Sequence, residues 1–229
     1  MKIGGFLGFS LIDFPQKVAA VIFTQGCNFL CPFCHNPELV LPRRFQLPVP
    51  EKEILDLLKI RFGKLDGVAI TGGEPLIQDD LEEFIYQIKK IGYAVKIDTN
   101  GSQPALLKNL LRRKLIDYVA MDIKAAPQNY AKIAGVPLNL DYIYKSMELI
   151  RQSGLPYEFR TTIVKNLHEL EEFRDIARLL VPEDVYVVQN FRSAKRVGSI
   201  DLPLAAFDDE ELKYISSLLS EFNLNYSIR

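Results

Sequence analysis

The chain has 229 residues, of which 48% are hydrophobic and 25% charged, a composition typical of a globular protein with a sizeable core. Its 28 basic and 29 acidic residues give a net charge of −1, which argues against a broad surface for nucleic acid. No apolar run is long enough to span a bilayer and no linker divides the chain, so we expect a single cytoplasmic domain, residues 1–229, that binds neither nucleic acid nor membrane.

Strands and helices alternate along the sequence. Apolar runs predict six strands, at residues 18–24, 68–71, 93–98, 116–123, 157–164 and 185–189. Helices are predicted between and after them, beginning near Pro50, Asp79 or Asp80, Ser102, Asn139, Asn166 and Asp208. The fifth helix is expected to start with a capping box formed by Asn166 and Glu169. This alternation predicts parallel strands joined by right-handed crossovers, in a barrel or a doubly wound sheet.

The first predicted strand is followed by a loop that contains all the cysteines of the chain. Cys27, Cys31 and Cys34 have the spacing CxxxCxxC. Three thiolates at this spacing can bind three corners of a [4Fe–4S] cluster, whereas a fully ligated cluster takes four cysteines. The fourth iron would then be open to a ligand that takes part in chemistry.

Other interpretations of the cysteine loop remain open at this point. Zinc favours four ligands of sulfur and nitrogen, and His35 offers a nitrogen. However, His35 directly follows Cys34, and adjacent ligands do not easily point at one small ion. A disulfide is disfavoured, because three cysteines cannot all pair and no secretory signal begins the sequence. Redox-active or purely structural thiols are a further alternative.

The second predicted strand ends in the sequence TGGEP. Gly72 and Gly73 allow the backbone to approach a ligand closely, and the carboxylate of Glu74 can accept hydrogen bonds from an ammonium group. The alternative is a tight turn from strand to helix with an exposed glutamate.

Three further strand ends carry charged or polar side chains. Asp98 and Thr99 begin the sequence DTNG after the third strand, which is also common turn chemistry. Asp122 and Lys124 project to the same face at the end of the fourth strand, where they either serve a ligand or form a salt bridge. Arg160 lies in the fifth strand and is either a partner for a carboxylate or a solvated arginine.

The cysteine loop followed by GGEP resembles the radical S-adenosylmethionine (SAM) superfamily, over most of the chain. The resemblance implies a partial (β/α)6 TIM-like barrel, with a [4Fe–4S] cluster bound by the three cysteines. In that family the amino and carboxylate groups of SAM chelate the open iron, and one electron cleaves SAM to a 5′-deoxyadenosyl radical. Glu74 and the backbone at Gly72 and Gly73 would then bind the ammonium group of SAM, and Phe33 would lie against its adenine.

The segments DTNG and DIK resemble the glycyl-radical-enzyme activase branch of that superfamily. Residues 8–15 (GFSLIDFP) and the cysteine loop are most similar to activating proteins of anaerobic ribonucleoside-triphosphate reductases. This resemblance implies that Asp98, Thr99 and Asp122 lie near the ribose and carboxylate of SAM, that Arg160 pairs with its carboxylate, and that Lys124 is catalytic. The implied partners are a glycyl-radical enzyme as protein substrate and reduced flavodoxin or ferredoxin as electron donor.

The motifs are also compatible with two alternative functions. The first is a radical SAM enzyme that acts on a small molecule, such as a deazaguanine precursor, and the second is a non-enzymatic metal-binding module. Outside the motifs, His168 is expected at the surface, and a basic loop is expected at Arg192, Lys195 and Arg196. Asn190 stands where some activases carry a histidine, so no role is assigned to it.

Overall fold

The computed structural model describes residues 1–192 and 204–229. These residues form one sheet of eight strands, whose order in the sheet is the same as their order in the sequence. The strands are β1 (Ile3–Ser10), β2 (Ala19–Thr24), β3 (Gly67–Gly72), β4 (Ala94–Thr99), β5 (Tyr118–Asp122), β6 (Tyr157–Ile163), β7 (Val185–Asn190) and β8 (Asn225–Ile228). Lys195 and Arg196 of the predicted basic loop lie outside the described residues.

Helices connect the parallel strands. They are α1 (Pro37–Val40), α2 (Glu51–Ile60), α3 (Leu81–Ile91), α4 (Pro104–Arg112), α5 (Tyr130–Ala134), α6 (Leu140–Arg151), α7 (Glu172–Ala177) and α8 (Asp209–Ser220). The apolar face predicted for α3 is buried, and α8 begins with a capping box formed by Asp208 and Glu211. No helix of the described chain is both long enough and apolar enough to cross a membrane.

The sheet is an open barrel with six strand-helix units, as the sequence predicts. Strands β2 to β8 are parallel to one another, whereas β1 runs antiparallel to β2. The register brings the ends of neighbouring strands together, with Thr24 paired to Gly72 and Asp122 paired to Arg160. The carboxyl ends of the parallel strands therefore form one rim, where ligands bind in folds of this kind.

The two outer strands, β1 and β8, were not predicted. Strand β1 contains three glycines, which are depleted in strands, and β8 has only four residues. Gly4 of β1 allows a close approach, because a Cβ atom there would lie 2.4 Å from Cδ2 of Leu39 in α1. These strands extend the sheet beyond the six predicted strands without closing it.

The segment before α7 differs from the prediction. Asn166 has a φ of 74°, in the left-handed region, and α7 begins only at Glu172. The predicted capping box of Asn166 and Glu169 therefore does not start this helix. The predicted surface position of His168 is also wrong, since its side chain is buried with only 3% exposed. Helix α5, which the sequence analysis did not predict, packs against the cysteine loop through a hydrogen bond from Leu30 N to the carbonyl of Ala134.

Candidate active site

A cavity of about 180 Å³ lies at the carboxyl rim of the sheet. This cavity is lined by all twelve residues that the sequence analysis assigned to the site. They are Cys27, Cys31, Phe33, Cys34, Gly72, Gly73, Glu74, Asp98, Thr99, Asp122, Lys124 and Arg160. The structure thus brings residues of four strands, β3 to β6, and the cysteine loop to one place.

The cysteine loop presents three free thiols to this cavity. The loop is shaped by a turn in which Cys34 N donates to the carbonyl of Cys31, and Phe29 N donates to Sγ of Cys27 over 3.4 Å. Burial raises the pKa of Cys27 to about 12 and that of Cys31 to about 11, and it also raises the pKa of Cys34. Because only thiolates bind metal, binding of iron must displace protons from these groups.

Lys124 is the cation that acts on all three thiols. Its ammonium group lowers the pKa of Cys27, Cys31 and Cys34, although burial has the larger, opposite effect on each. Burial tends to lower the pKa of Lys124 itself, but this pKa is raised, because Asp122, Cys31 and Tyr130 together outweigh burial. Lys124 therefore keeps a positive charge beside the cysteine loop.

The two glycines at the end of β3 fit tightly against the backbone at the end of β2 and at the start of the cysteine loop. Gly72 has a φ of 107°, and a Cβ atom on Gly73 would lie 1.9 Å from the carbonyl oxygen of Gly26. Gly73 N donates to the carbonyl of Thr24, and Glu74 N donates to that of Gly26. The sequence predicted that the small size of these glycines allows a ligand to approach the backbone. In the structure it also allows the backbone to pack against the base of the cysteine loop and to hold it in place.

The side chain of Glu74 is buried, with 1% exposed, rather than exposed at a turn. Its Oε1 accepts hydrogen bonds from Leu76 N (3.0 Å) and the Thr99 hydroxyl (2.8 Å), and Oε2 accepts one from Asn100 N (2.7 Å). Burial raises the pKa of Glu74 to about 7, although these donors favour the charged form. Glu74 therefore ties the end of β3 to the end of β4.

Charged side chains in the interior of the barrel form a connected network. Arg160 donates to Asp122 over 3.0 Å and to Asp98 over 3.4 Å. Lys124 pairs with Asp122 over 2.8 Å, and Lys96 pairs with Asp98. Arg160 is thus an internal bridge and not a solvated arginine, and the salt bridge considered for Asp122 and Lys124 is present.

Both aspartates of this network are held in the charged form. Burial tends to raise the pKa of Asp98, but Arg160 and Lys96 outweigh it and lower the pKa below its usual range. The pKa of Asp122 is lowered to about 2, because Lys124 and Arg160 likewise outweigh burial. The two aspartates and three cations therefore form one network, which Arg160 extends to the carboxylate of Glu158 over 3.8 Å.

Sequence reasoning missed several residues that support the site. Lys96 is only 2% exposed and lies two positions before Asp98 on the same face of β4, which is the signal that could have identified it. Asn28 donates to the Ser102 hydroxyl over 2.8 Å and accepts from Asn100 over 2.9 Å, so it joins the cysteine loop to the end of β4. His168 is a third such residue, with contacts to the backbone of Lys124 and to the ring of Phe33.

Residues near the rim that had no assigned role are engaged in structural contacts. Nε2 of His35 lies 3.2 Å from the carbonyl oxygen of Arg192, and its ring lies 5.7 Å from that of Phe191. The side chain of Asn190 exchanges two hydrogen bonds with the backbone of Phe207, at 2.8 and 3.0 Å. His35 also lines the cavity that the three thiols line, and its Nε2 is engaged by the carbonyl of Arg192.

The three thiols offer the ligand set of an iron–sulfur cluster. Within residues 1–192 and 204–229, no group of three or more His, Cys, Asp or Glu side chains is arranged to hold one metal ion. A [4Fe–4S] cluster is bound differently, because each thiolate binds its own iron atom. Three free cysteines on one cavity, with a cation beside them, fit that cluster.

Comparison with known proteins identifies the family. Residues 21–180 match the Radical SAM superfamily, which is more than half of the chain. The chain belongs to the radical SAM superfamily. This superfamily uses a [4Fe–4S] cluster and SAM, so both are cofactors of the chain. The partial barrel expected from the sequence is confirmed.

Two curated relatives of this radical SAM chain differ in their functions. A candidate glycyl-radical enzyme activating enzyme of Methanocaldococcus jannaschii is 33% identical over 99% of this chain and 95% of its own length. A GTP 3′,8-cyclase of Aquifex aeolicus is 29% identical over 82% of this chain but only 59% of its own length. The match is therefore nearly end to end with the first protein and partial with the second.

The solved structures support the fold of the radical SAM chain. SuiB of Streptococcus suis bound to S-adenosylmethionine superposes with a TM-score of 0.69 at 17% identity, covering 91% of this chain and 49% of SuiB. SuiB bound to its precursor peptide SuiA gives a TM-score of 0.68 at 16% identity. This chain thus corresponds to about half of SuiB.

The Arg160 network gives a stability prediction with a defined pH dependence. Replacing Arg160 by methionine leaves Asp98 and Asp122 each with one lysine, and we expect the free energy of unfolding to fall by about 3 kcal/mol at pH 7. Both aspartates have a lowered pKa in the folded state. Their contribution to the free energy of unfolding is therefore fully present above about pH 4 and is lost as the pH falls toward 2.

Urea unfolding between pH 7 and pH 2.5 measures this difference. The difference in the free energy of unfolding between wild type and Arg160→Met should be largest at pH 7 and should decrease below pH 4. Arg174→Met is the matched control, since Arg174 pairs with Glu221 at the surface and should cost no more than about 0.5 kcal/mol. A difference that stays constant with pH would contradict the assigned charge states.

Proposed function

We propose that the chain is a glycyl-radical-enzyme activating enzyme, carried on a single domain of residues 1–229. The observation that carries this proposal is the near end-to-end match to the candidate activating enzyme, which covers 99% of this chain and 95% of that protein. The chain has only three cysteines, so the loop uses all of them and none remains to bind an auxiliary cluster.

The proposed roles follow from the positions of the side chains on the cavity. Cys27, Cys31 and Cys34 bind the cluster, and Lys124 holds positive charge beside them. When bound, the cluster supplies SAM with the electron that yields a 5′-deoxyadenosyl radical, which takes a hydrogen atom from a glycine of the partner. Reduced flavodoxin or ferredoxin is the proposed electron donor.

The remaining cavity residues are proposed to bind and orient SAM. The backbone at Gly72 and Gly73 faces its methionyl part, and Glu74 acts by fixing the end of β4, because all of its bonding described above is to the chain itself. Phe33 lies against the adenine. The aspartates and Arg160, with Thr99, form the polar wall for the ribose and the carboxylate.

A glycyl-radical assay tests the proposed function. Reduced, reconstituted protein is mixed with SAM and candidate glycyl-radical enzymes under strict anoxia, starting with an anaerobic ribonucleoside-triphosphate reductase. We expect 5′-deoxyadenosine to form together with a glycyl radical signal in electron paramagnetic resonance. A partner whose radical glycine is replaced by alanine serves as the control. SAM cleavage without a glycyl radical in any partner would contradict the proposal.

A second candidate function is radical chemistry on a small molecule. The matches to GTP 3′,8-cyclases favour a purine nucleotide as its substrate. Consumption of GTP with SAM, in the absence of any protein partner, would support this function. Stoichiometric zinc without iron or sulfide in anaerobically purified protein would contradict both enzymes and favour a metal-binding module.

A further inference from the structure

Three side chains, one from β6, one from α5 and one from the segment between β6 and α7, contact the backbone of the DIK segment, residues 122–124. The Thr161 hydroxyl donates to the carbonyl of Ile123 over 2.8 Å, and Nε2 of His168 lies 2.9 Å from the carbonyl oxygen of Lys124. The Tyr130 hydroxyl lies 3.4 Å from the carbonyl oxygen of Asp122. Strand β5 ends at Asp122, so the carbonyl of Lys124 lies beyond the strand and depends on His168 for this partner.

The hydrogen bonds of His168 fix its tautomer. Its Nδ1 lies 3.1 Å from the backbone nitrogen of Val164, which can only donate, so Nδ1 accepts. A carbonyl oxygen can only accept, so Nε2 carries the hydrogen and donates to Lys124. The neutral imidazole therefore joins the turn after β6 to the segment that carries the proposed catalytic lysine.

The same imidazole ring also touches the cysteine loop. The Phe33 ring packs edge-on against it at a centroid distance of 6.1 Å, and Phe173 stacks on it at 6.5 Å. Phe33 directly precedes Cys34 and lines the cavity. His168 is thus buried between the two parts of the site that must keep a fixed distance from each other.

We infer that His168 is a positioning residue, which holds Lys124 through its carbonyl and supports Phe33 through its ring. The role of Lys124 in catalysis rests on the proposed function, whereas the positioning itself does not. The alternative is that His168 serves only the local turn, through the bond from Val164 N.

Two substitutions separate these roles, because each keeps one of the two hydrogen bonds. In His168→Gln the side-chain amide nitrogen reaches the place of Nε2 and can donate to Lys124. In His168→Asn the amide oxygen takes the place of Nδ1 and can accept from Val164. The positioning role predicts rescue by glutamine and not by asparagine, and a role in the turn alone predicts the reverse.

The main readout is the reactivity of the Lys124 amine in the full-length protein reconstituted under anoxia. Each variant is labelled with a succinimidyl ester, and labelling is quantified by mass spectrometry against Lys52, whose side chain is 88% exposed. We expect labelling of Lys124 to rise about tenfold in His168→Asn, as for the loss of one buried hydrogen bond, and to stay near wild type in His168→Gln. Melting temperatures confirm that both variants are folded.

Steady-state kinetics of SAM cleavage give a second readout. Because Lys124 would be displaced in His168→Asn, kcat should fall by a larger factor relative to wild type than the factor by which the KM for SAM rises. Equal labelling of Lys124 in the two variants, at any level, would overturn the inference. A failed glycyl-radical assay would leave the labelling difference in place, so failure of the inference and failure of the proposed function are distinguishable.

Discussion

Cys31→Ser is expected to abolish SAM cleavage while leaving the barrel folded. The thiol of Cys31 is one of only three in the chain, so no other cysteine can replace it as a ligand. Activity should fall by more than about 1000-fold, as is usual when a member of a catalytic unit is removed. The loop lies at the rim and outside the sheet, so the far-ultraviolet circular dichroism should match that of wild type.

Iron and sulfide analysis after anaerobic reconstitution, together with 5′-deoxyadenosine formation, measures this effect. Leu30→Ala is the matched control, because Leu30 is adjacent to Cys31 but 43% exposed. It should retain iron, sulfide and cleavage close to wild type. Unchanged cleavage in Cys31→Ser would refute the assignment of the three cysteines as cluster ligands.

Glu74→Ala is expected to weaken SAM binding by at least about tenfold while the cluster is retained. The substitution leaves three donors, Leu76 N, the Thr99 hydroxyl and Asn100 N, without their acceptor inside the protein. We therefore also expect the free energy of unfolding to fall by about 3 kcal/mol. The end of β4 would then no longer be fixed to the end of β3.

Calorimetric titration with SAM and urea unfolding measure the two effects. Glu74→Gln is the informative control, because its amide oxygen can still accept from Leu76 and Thr99 and only the bond to Asn100 N is lost. Both the SAM affinity and the free energy of unfolding of Glu74→Gln should lie between those of wild type and Glu74→Ala. Equal SAM affinity in all three proteins would contradict a role for Glu74 in shaping the cofactor site.

The parts of the site that the sequence predicted are those that lie in short motifs at strand ends. Parallel strands bring their carboxyl ends to one rim, so Glu74, Asp98 and Asp122 could be placed together before any coordinates were known. Their bonding could not be predicted in the same way. Glu74 accepts from the end of a different strand, and this depends on the register of β3 and β4.

The residues that were missed are polar groups buried by contacts distant in sequence. Lys96 is a charged residue in the middle of β4, and its partner Asp98 could also be interpreted as part of a turn. His168 was expected at the surface because a helix was predicted to begin at Asn166, whereas Asn166 has a left-handed backbone, the helix begins at Glu172 and the side chain of His168 is buried. Whether a polar residue is buried depends on tertiary contacts, which sequence periodicity does not contain.

Because strand order in the sheet equals strand order in the chain, the site is completed in the order of synthesis. The cysteine loop and the glycines that support it are synthesised early, whereas Arg160 follows 126 residues after Cys34. At about 5–20 residues per second, translation leaves this first half without its polar wall for on the order of ten seconds. We therefore expect the thiols of the nascent chain to be synthesised before several of the residues that are proposed to bind SAM.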